Sequence, residues 1–342
     1  MRATHILILL LSLALCRLSI SGRHQYRLLL PIEQHAACGY IDETGTIVIS
    51  PRFEHCWDFS EGFACVVVGG KTGFIDESGK FLATPRFTSY AGACYTEFKE
   101  GYAPVSVESH NKVRGKWINN SKWGFLNTKG EVIFFPGVTY LSGFREGLAF
   151  FRKGGRTGYL DTTLHVAIQL RFKSAGSFYE GRARATGVDG SEYYIDKSGK
   201  KLFDNHEGGE IQNGRAFFKI NGKYGFIDKD GKVLVRPTFD GANHFGDDLA
   251  AVKVGQKWGF INDSGQFVIE PKFDEAGVFS EGMVSVSING KWGFVDKSGE
   301  VVVLFLFDKW TYWFENGIAR VRLDNKIGYI DVTGKYILSP TN

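Results

Sequence analysis

The chain lacks the short motifs that mark the common enzyme classes. It contains no Gly-x-Ser-x-Gly, no Gly-x-x-x-x-Gly-Lys-Ser/Thr and no His-Glu-x-x-His, and its eight histidines are scattered. His206 beside Glu207 and His244 near Asp247 and Asp248 have acidic neighbours, but they lie between repeated segments, and a catalytic group needs a positioned partner. We therefore predict that the protein is not an enzyme and has no catalytic residues. An enzyme is the least favoured alternative.

An excess of charge of one sign is also missing. The chain has 41 Lys and Arg against 37 Asp and Glu, a net charge of +4, so bulk electrostatics predicts no nucleic-acid partner. The five cysteines include no Cys-x-x-Cys, and no histidine pair has metal-ligand spacing. We predict neither a metal site nor a cofactor.

No apolar run is long enough to span a bilayer. The longest candidate, Ile6 to Cys16, follows Arg2 and is only eleven residues long. This pattern predicts a signal peptide over residues 1–21 and an exported protein that is periplasmic, bound to the cell surface or secreted. A lipid anchor through Cys16 is possible but not favoured, because Leu15 stands where lipoprotein processing prefers a small side chain.

The cysteines that would remain after export are few and close together in the sequence: Cys38, Cys56, Cys65 and Cys94. An even number in an oxidising compartment allows two disulfides, in any of three pairings. Burial as free thiols is the alternative.

The sequence is rich in one recurring core, Trp-Gly-Phe-Ile-Asp and its variants. The copies contain Tyr40-Ile41-Asp42, Phe74-Ile75-Asp76, Phe125-Leu126-Asn127, Tyr159-Leu160-Asp161, Tyr194-Ile195-Asp196, Phe226-Ile227-Asp228, Phe260-Ile261-Asn262, Phe294-Val295-Asp296 and Tyr329-Ile330-Asp331. Most lie 34 or 35 residues apart. A period of this size is typical of units that bury their apolar faces against one another.

Each unit reads as three antiparallel strands, which we name C, A and B in chain order. Around Trp258, strand A is followed by a turn from Asn262 to Gly265, where the first side chain can accept a backbone hydrogen bond and glycine can take a positive φ. Strand B follows, and Pro271 is predicted to end it. A linker with a recurring Phe, predicted to plug the seam between units, then leads through Glu-Gly to the next strand C.

The sequence therefore predicts an all-β tandem array of nine three-stranded antiparallel units of about 34 residues, within a single domain over residues 22–342. The units are expected near residues 26–52, 62–86, 101–138, 147–172, 181–204, 214–239, 248–273, 282–307 and 317–340. No strand is left over at either end. This favours an open, superhelical solenoid-like array, with a closed β-propeller as the alternative.

The Trp-Gly core, the Asp-x-x-Gly turn, Pro-x-Phe-Asp and Phe-x-Glu-Gly together resemble the bacterial WG (or KWG) β-repeat family. The most typical stretch runs from Lys257 to Phe273, whereas Thr72 and Thr157 replace the Trp and Tyr194 replaces the Gly in other units. The resemblance implies a repeat module of an exported or surface-associated bacterial protein, without shared catalytic residues.

Strand C carries the first candidate binding residues. Its alternating pattern places one set of side chains in the core and the other set outward. The outward set contains no acid and eight cations: Arg152, Arg182, Arg184, Arg215, Lys219, Lys253, Arg320 and Arg322. If units stack in register, these side chains form a basic ladder. Ordinary solvated positions are the alternative.

The second candidate is an insertion, Ser106 to Lys122, which breaks the period. It carries Lys112, Arg114, Lys116 and Trp117, and insertions in repeat proteins often map to the binding face. We predict a loop that makes a specific contact, with a disordered loop as the alternative. Together these patterns predict an exported, non-catalytic scaffold that binds a protein partner at the bacterial envelope. An anionic cell-envelope polysaccharide is the alternative ligand.

Overall fold

The computed structural model describes residues 26–34, 36–88, 96–113, 116–204, 208–308 and 313–340, and for residues 109–120 the backbone alone. All regular secondary structure in these segments is β-strand, in nine sheets that form the blades of a propeller. The predicted signal peptide, Cys16, Cys94, Arg114 and His206 lie outside the described residues.

The first four blades follow one another in chain order. They contain β1 (Leu30–Gln34), β2 (Ala37–Ile41) and β3 (Ile47–Phe53); β4 (His55–Cys56), β5 (Phe63–Val68), β6 (Lys71–Asp76) and β7 (Phe81–Thr88); β8 (Tyr102–Val113), β9 (Lys116–Asn127) and β10 (Val132–Phe134); and β11 (Val138–Leu141), β12 (Leu148–Lys153), β13 (Arg156–Asp161) and β14 (Val166–Phe172).

Blades 5 to 9 continue the same order. They contain β15 (Ser174–Ala175), β16 (Arg182–Thr186), β17 (Glu192–Asp196) and β18 (Lys201–Asp204); β19 (Arg215–Ile220), β20 (Lys223–Asp228) and β21 (Val233–Phe239); β22 (Gly241–Gly246), β23 (Leu249–Val254), β24 (Lys257–Ile261) and β25 (Phe267–Phe273); β26 (Glu275–Ala276), β27 (Met283–Ile288), β28 (Lys291–Asp296) and β29 (Val301–Phe307); and β30 (Ile318–Leu323), β31 (Lys326–Asp331) and β32 (Tyr336–Leu338).

The predicted C-A-B meander is present in all nine sheets, but five sheets have a fourth strand. In blades 2, 4, 5, 7 and 8 the linker itself pairs with strand C, as β26 does with β27 through Glu275↔Ser287. The expectation of three strands per unit is therefore wrong for these blades. Part of the linker satisfies its backbone groups by joining the sheet.

The glycine of the Trp-Gly core lies where strand B crosses strand A. In blade 7, Trp258 pairs with Phe273 and Phe260 pairs with Ile269, so β25 bulges between them. A Cβ on Gly259 would lie 2.6 Å from the Ile269 carbonyl oxygen and 2.7 Å from the nitrogen of Pro271. The prediction that proline ends strand B is wrong, because Pro271 lies in the bulge and β25 continues to Phe273.

Aromatic side chains fill the seams between blades, as predicted. The linker aromatic of one blade packs on the core aromatic of the preceding blade, with ring centroids 4.8 to 5.6 Å apart: Phe59 on Tyr40, Phe98 on Phe74, Phe144 on Phe125, Phe178 on Tyr159, Phe245 on Phe226, Phe279 on Phe260 and Phe314 on Phe294. Seven of the nine seams therefore have the same apolar centre, whereas Ile211 takes the place of the linker aromatic beside Tyr194.

Carboxylates join neighbouring blades beside this apolar centre. The two oxygens of Glu281 accept the backbone N–H groups of Asn316 and Gly317, each at 2.8 Å. Glu61, Glu100, Glu146, Glu180 and Asp247 make equivalent contacts with the following blade. The recurring acid of Phe-x-Glu-Gly thus satisfies turn amides that would otherwise lack a partner.

The array closes into a ring, so the open solenoid favoured by the sequence is wrong and the alternative, a closed propeller, is correct. The hydroxyl of Tyr329 in blade 9 donates to the Pro31 carbonyl in blade 1 at 2.7 Å. Ile32 and Ile41 pack into one cluster with Tyr329. No strand of blade 9 pairs with blade 1 among the described residues, so closure needs no leftover strand.

Candidate functional site

The two ends of the blades carry different turns, which define two faces of the ring. Strand C runs toward the turn that joins it to strand A, so these C–A turns share one face, here called the upper face. The Asp-x-x-Gly turns occupy the lower face. Most C–A turns are short, as in blade 8, where residues 289 and 290 alone separate the last pair, Ile288↔Lys291.

Blade 3 departs from this rule. Its strands β8 and β9 continue as a hairpin through twelve pairs, from Tyr102↔Asn127 to Val113↔Lys116, where blade 8 has six. Six extra pairs correspond to about 20 Å of projection above the upper face. The predicted loop is therefore a β-hairpin. Its far end carries Lys112 directly opposite Trp117, together with Lys116; their side chains lie outside the described ones.

An aromatic surface lies at the foot of this hairpin, in the seam between blades 3 and 4. Tyr140 is 42% exposed. Its ring centroid is 5.1 Å from that of Trp123 and 5.5 Å from that of Phe150, with an angle of 18° to the latter ring. Arg152 is exposed and stands opposite Tyr140 in the sheet. We call Trp123, Tyr140, Phe150 and Arg152 the base patch.

The eight cations of the predicted ladder do not all lie at one level. Arg182 and Arg215 pair with the residues that open the lower-face turns, and Arg184 and Arg320 lie at mid-strand. The remaining four lie next to the upper face: Arg152, Lys219, Lys253 and Arg322. Seven of the eight side chains are half-buried rather than exposed. The reason is that neighbouring blades cover both faces of each sheet.

Arg182, Arg215 and Arg320 form ion pairs. Arg182 lies 2.7 Å from Asp230 on the lower-face turn of the next blade. Arg215 lies 3.3 Å from Asp263 on the equivalent turn and 3.4 Å from Asp248. Arg320 pairs with Asp58, across the closing seam. These side chains therefore connect blades.

Two of the upper-face cations lie over aromatic rings. Lys219 Nζ is 5.5 Å from the centroid of Tyr224, and Lys253 Nζ is 6.0 Å from that of Trp258. Together with Arg152, they give the upper face an aromatic and cationic character.

The described residues do not bring potential metal ligands together. They contain no cluster of three or more His, Cys, Asp and Glu side chains suited to a metal ion. His244 packs against Phe217 at 5.0 Å, and burial lowers the pKa of its imidazole. Among the residues that the structure describes, no helix is long and apolar enough to cross a membrane.

The cysteines form disulfide bonds where they are described. Cys38 is bonded to Cys56, which ties strand A of blade 1 to the linker strand of blade 2. Cys65 is disulfide-bonded as well.

The sequence matches the model of the WG containing repeat seven times, over residues 39–71, 73–117, 123–156, 158–186, 224–258, 258–292 and 292–326. The chain belongs to the WG β-repeat family. The matches leave out residues 187–223, which hold strands A and B of blade 5 and strand C of blade 6. No curated protein matches the chain by sequence.

Among solved structures, this WG-repeat protein is similar to one described as the eukaryotic initiation factor. The two share 13% identity with a TM-score of 0.61, over 92% of this chain and 95% of the other. BamB from Moraxella catarrhalis is 9% identical with a TM-score of 0.40, over 92% and 98% of the two chains. The first similarity supports the propeller fold and nothing beyond it.

Sequence reasoning missed Trp123, Tyr140 and Phe150 as candidate binding residues. A signal was present, because the position of Tyr140 holds Gly241, Ser174, Glu275 or His55 in other blades. An exposed aromatic ring at a position that is otherwise small or polar indicates a local role.

Proposed function

We propose that this WG-repeat protein is an exported, non-catalytic scaffold that binds a protein partner at the bacterial envelope. The binding surface is the hairpin of blade 3 together with the base patch. The observation that carries the proposal is the projection of β8 and β9 about 20 Å above an otherwise level face. The disulfide between Cys38 and Cys56 supports an oxidising compartment.

The chemistry of the base patch favours a protein ligand. Tyr, Trp and Arg are the side chains most enriched at the centres of protein interfaces, because they combine a large apolar area with a polar or charged end. Trp123, Tyr140 and Arg152 supply all three within one seam. The paired strands β8 and β9 lie beside them and add a second surface to the site.

The test replaces residues 108–121 with Asn-Gly, the C–A turn that blade 8 uses. This change gives blade 3 an ordinary short turn and leaves the seam below it intact. A partner captured from envelope extract with the intact protein is identified and its dissociation constant measured. We expect the shortened variant and Tyr140→Ser each to weaken binding at least ~10-fold.

The matched control is a change at an equivalent position elsewhere, Gly241→Ser in blade 7. It should leave the dissociation constant unchanged. Equal binding by the shortened variant would refute the proposed surface, provided that its melting temperature matches that of the intact protein.

An anionic envelope polysaccharide is the second candidate ligand. It is favoured by Arg152, Lys219 and Lys253, since the two lysines lie over aromatic rings next to the upper face. Polyanion binding should weaken steeply as salt rises, whereas an apolar protein contact should change little. If the ligand is a polyanion, changing these three residues to Gln should make the dissociation constant less dependent on salt. If it is not, the dissociation constant should stay the same at each salt concentration.

A further inference from the structure

Three seams of the ring carry the same ion pair next to the upper face. In blade 7, Nζ of Lys257 lies 2.6 Å from Oδ1 of Asp274, at the start of the linker that follows strand B. The other oxygen of Asp274 accepts the N–H of Asn289, in the C–A turn of blade 8, at 2.6 Å. Equivalent carboxylates bind a lysine of one blade and a turn N–H of the next, in the pairs Lys223 with Asp240 and Lys291 with Asp308.

The seam between blades 4 and 5 has two cations at these positions. Arg156 is the first residue of β13, as Lys257 is the first residue of β24. Lys173 precedes the linker strand of blade 5, as Asp274 precedes that of blade 8, and the backbone N–H of each donates to strand C at 2.9 Å. This seam therefore has a lysine where the other three have a carboxylate.

A third cation lies at the end of strand C in blade 4. Lys153 pairs with Arg156 across the C–A turn. The residue at this position is apolar in five other blades, where it is Val68, Ile220, Val254, Ile288 or Leu323. Two departures from the repeat thus coincide in one seam, and each adds positive charge. We call Lys153, Arg156 and Lys173 the cationic seam.

The cationic seam lacks a balancing acid among the described residues. Its three side chains are exposed, and none forms an ion pair with a described residue. The C–A turn of blade 5 contains Asp189, but hydrogen bonds from Ser191 lower the pKa of that carboxyl, and the cation that lowers it further is Lys201. Like charges held close together repel one another. An anion from outside would therefore stabilise the seam.

We propose that the cationic seam binds an aspartate or glutamate side chain of the protein partner, in place of the aspartate that three other seams supply themselves. The inference rests on the proposed function and states the chemistry of the partner, whose contacting segment is acidic. The guanidinium of Arg156 has the planar geometry that binds both oxygens of a carboxylate. Lys153 follows Arg152 in β12, so the cationic seam and the base patch meet at the end of one strand.

A hexaglutamate peptide tests the inference without the partner. Isothermal titration at low salt should show that the intact protein binds the peptide. Lys173→Asp should weaken this binding at least ~10-fold, because the new carboxylate pairs with Arg156 and occupies the site. The melting temperature of this variant should equal or exceed that of the parent, since a like-charge contact becomes an ion pair. No binding by the intact protein would overturn the inference.

The matched control makes the same charge change on the lower face. Lys129→Asp gives the turn of blade 3 the residue that blade 6 has there, Asp230. The affinity for the peptide should stay within about 2-fold of the parent, because this turn lies at the opposite end of the blade. Equal losses in the two variants would show that the peptide responds to net charge alone, and would overturn the inference.

An oligogalacturonate of the same length distinguishes a glycan carboxylate from a protein carboxylate. It should bind more weakly than hexaglutamate, because its carboxylates are fixed to rings, whereas the native aspartates reach the site on short flexible side chains. Tighter binding of the oligosaccharide that is lost in Lys173→Asp would assign the seam to an acidic polysaccharide and overturn the proposed partner.

The captured partner separates this inference from the proposed function. Lys173→Asp should weaken binding of the partner and make its dissociation constant less dependent on salt. If the variant with the shortened hairpin loses the partner but Lys173→Asp binds it as the parent does, the inference fails and the proposed function stands. If the shortened variant keeps the partner while the peptide results hold, the proposed surface fails and the carboxylate site stands.

Discussion

Blades 7 and 5 differ in how strand B packs against the glycine position of strand A. In blade 7, Gly259 lies opposite Val252 and beneath the bulge of β25. In blade 5, Tyr193 takes the glycine position, opposite Ala185, and strand B shrinks to the four residues of β18. The sequence-based assignment of Tyr194 to the glycine position is therefore wrong by one residue. Tyr194 is the core aromatic of blade 5.

The comparison links the glycine of the family signature to the wide bulge of strand B. Blade 7 has the glycine, the proline and two extra residues in strand B, whereas blade 5 lacks the glycine and the proline and has one extra residue between Lys201 and Asp204. A pocket of about 560 Å³ lies beside strand B of blade 5, lined by residues that include Arg171, Tyr193 and Lys201. Lys201 covers the Tyr193 ring at 5.0 Å.

The largest effect should come from filling the glycine site of blade 7. Gly259→Val would force a side chain into backbone atoms 2.6 Å from its Cβ, which should lower the free energy of unfolding by about 3 kcal/mol. Urea titration measures this. Tyr193→Val in blade 5 is the matched control and should cost under ~1.5 kcal/mol; an equal loss would contradict the packing argument.

A smaller loss of stability is expected at the turn of blade 6 that packs on blade 5. Gly231 has a φ of +85°, and a Cβ there would lie 2.7 Å from the Phe203 ring. Gly231→Val should destabilise the protein by about 2 kcal/mol, because a β-branched residue resists a positive φ. Gly231→Asn should be milder, since Asn tolerates that conformation. If both variants melted like the parent, the assignment of the bulged turn would fail.

The ion pair between Lys257 of blade 7 and Asp274 should contribute less to stability. Lys257 lies 2.6 Å from Asp274, which also accepts the N–H of Asn289 at 2.6 Å. Both charged side chains are partly exposed, so Lys257→Met should cost only about 0.5 kcal/mol. The loss should shrink further in high salt. A loss that is independent of salt would indicate a packing role for the lysine stem.

The smallest expected effect concerns the loss of stability at low pH. In blade 5 the hydroxyl of Ser198 donates to Asp196 and lowers the pKa of that carboxyl, whereas blade 7 has the non-titrating Asn262. A lowered pKa in the folded state contributes stability above the unfolded pKa of about 3.9, and this is lost as the pH falls through the folded value. Asp196→Asn should therefore reduce the loss of stability below about pH 4. The measurement is the free energy of unfolding between about pH 2 and 6. If the turn contributes nothing, its slope against pH would be the same in the variant and in the parent.

The sequence predicted what depends on local chemistry. The nine units, the order C-A-B and the lower-face turns follow from period and turn residues, and the turn of blade 8 has the predicted bond, from the N–H of Ser298 to Asp296. Ring closure could not be predicted, because the contact between Tyr329 and Pro31 joins residues 298 positions apart and leaves no pattern in the chain. The half-burial of Arg182 and Arg215 likewise depends on the blades that cover them.

The way the ring closes has a consequence for how such a gene can change. Each blade is built from consecutive residues, and no described strand is shared between blade 9 and blade 1. Duplicating or deleting one whole repeat would therefore break no sheet and would present the same seam chemistry to the new neighbour. The number of blades then depends only on how well the last seam fits, which makes the circumference of the ring a variable quantity for a recombining gene.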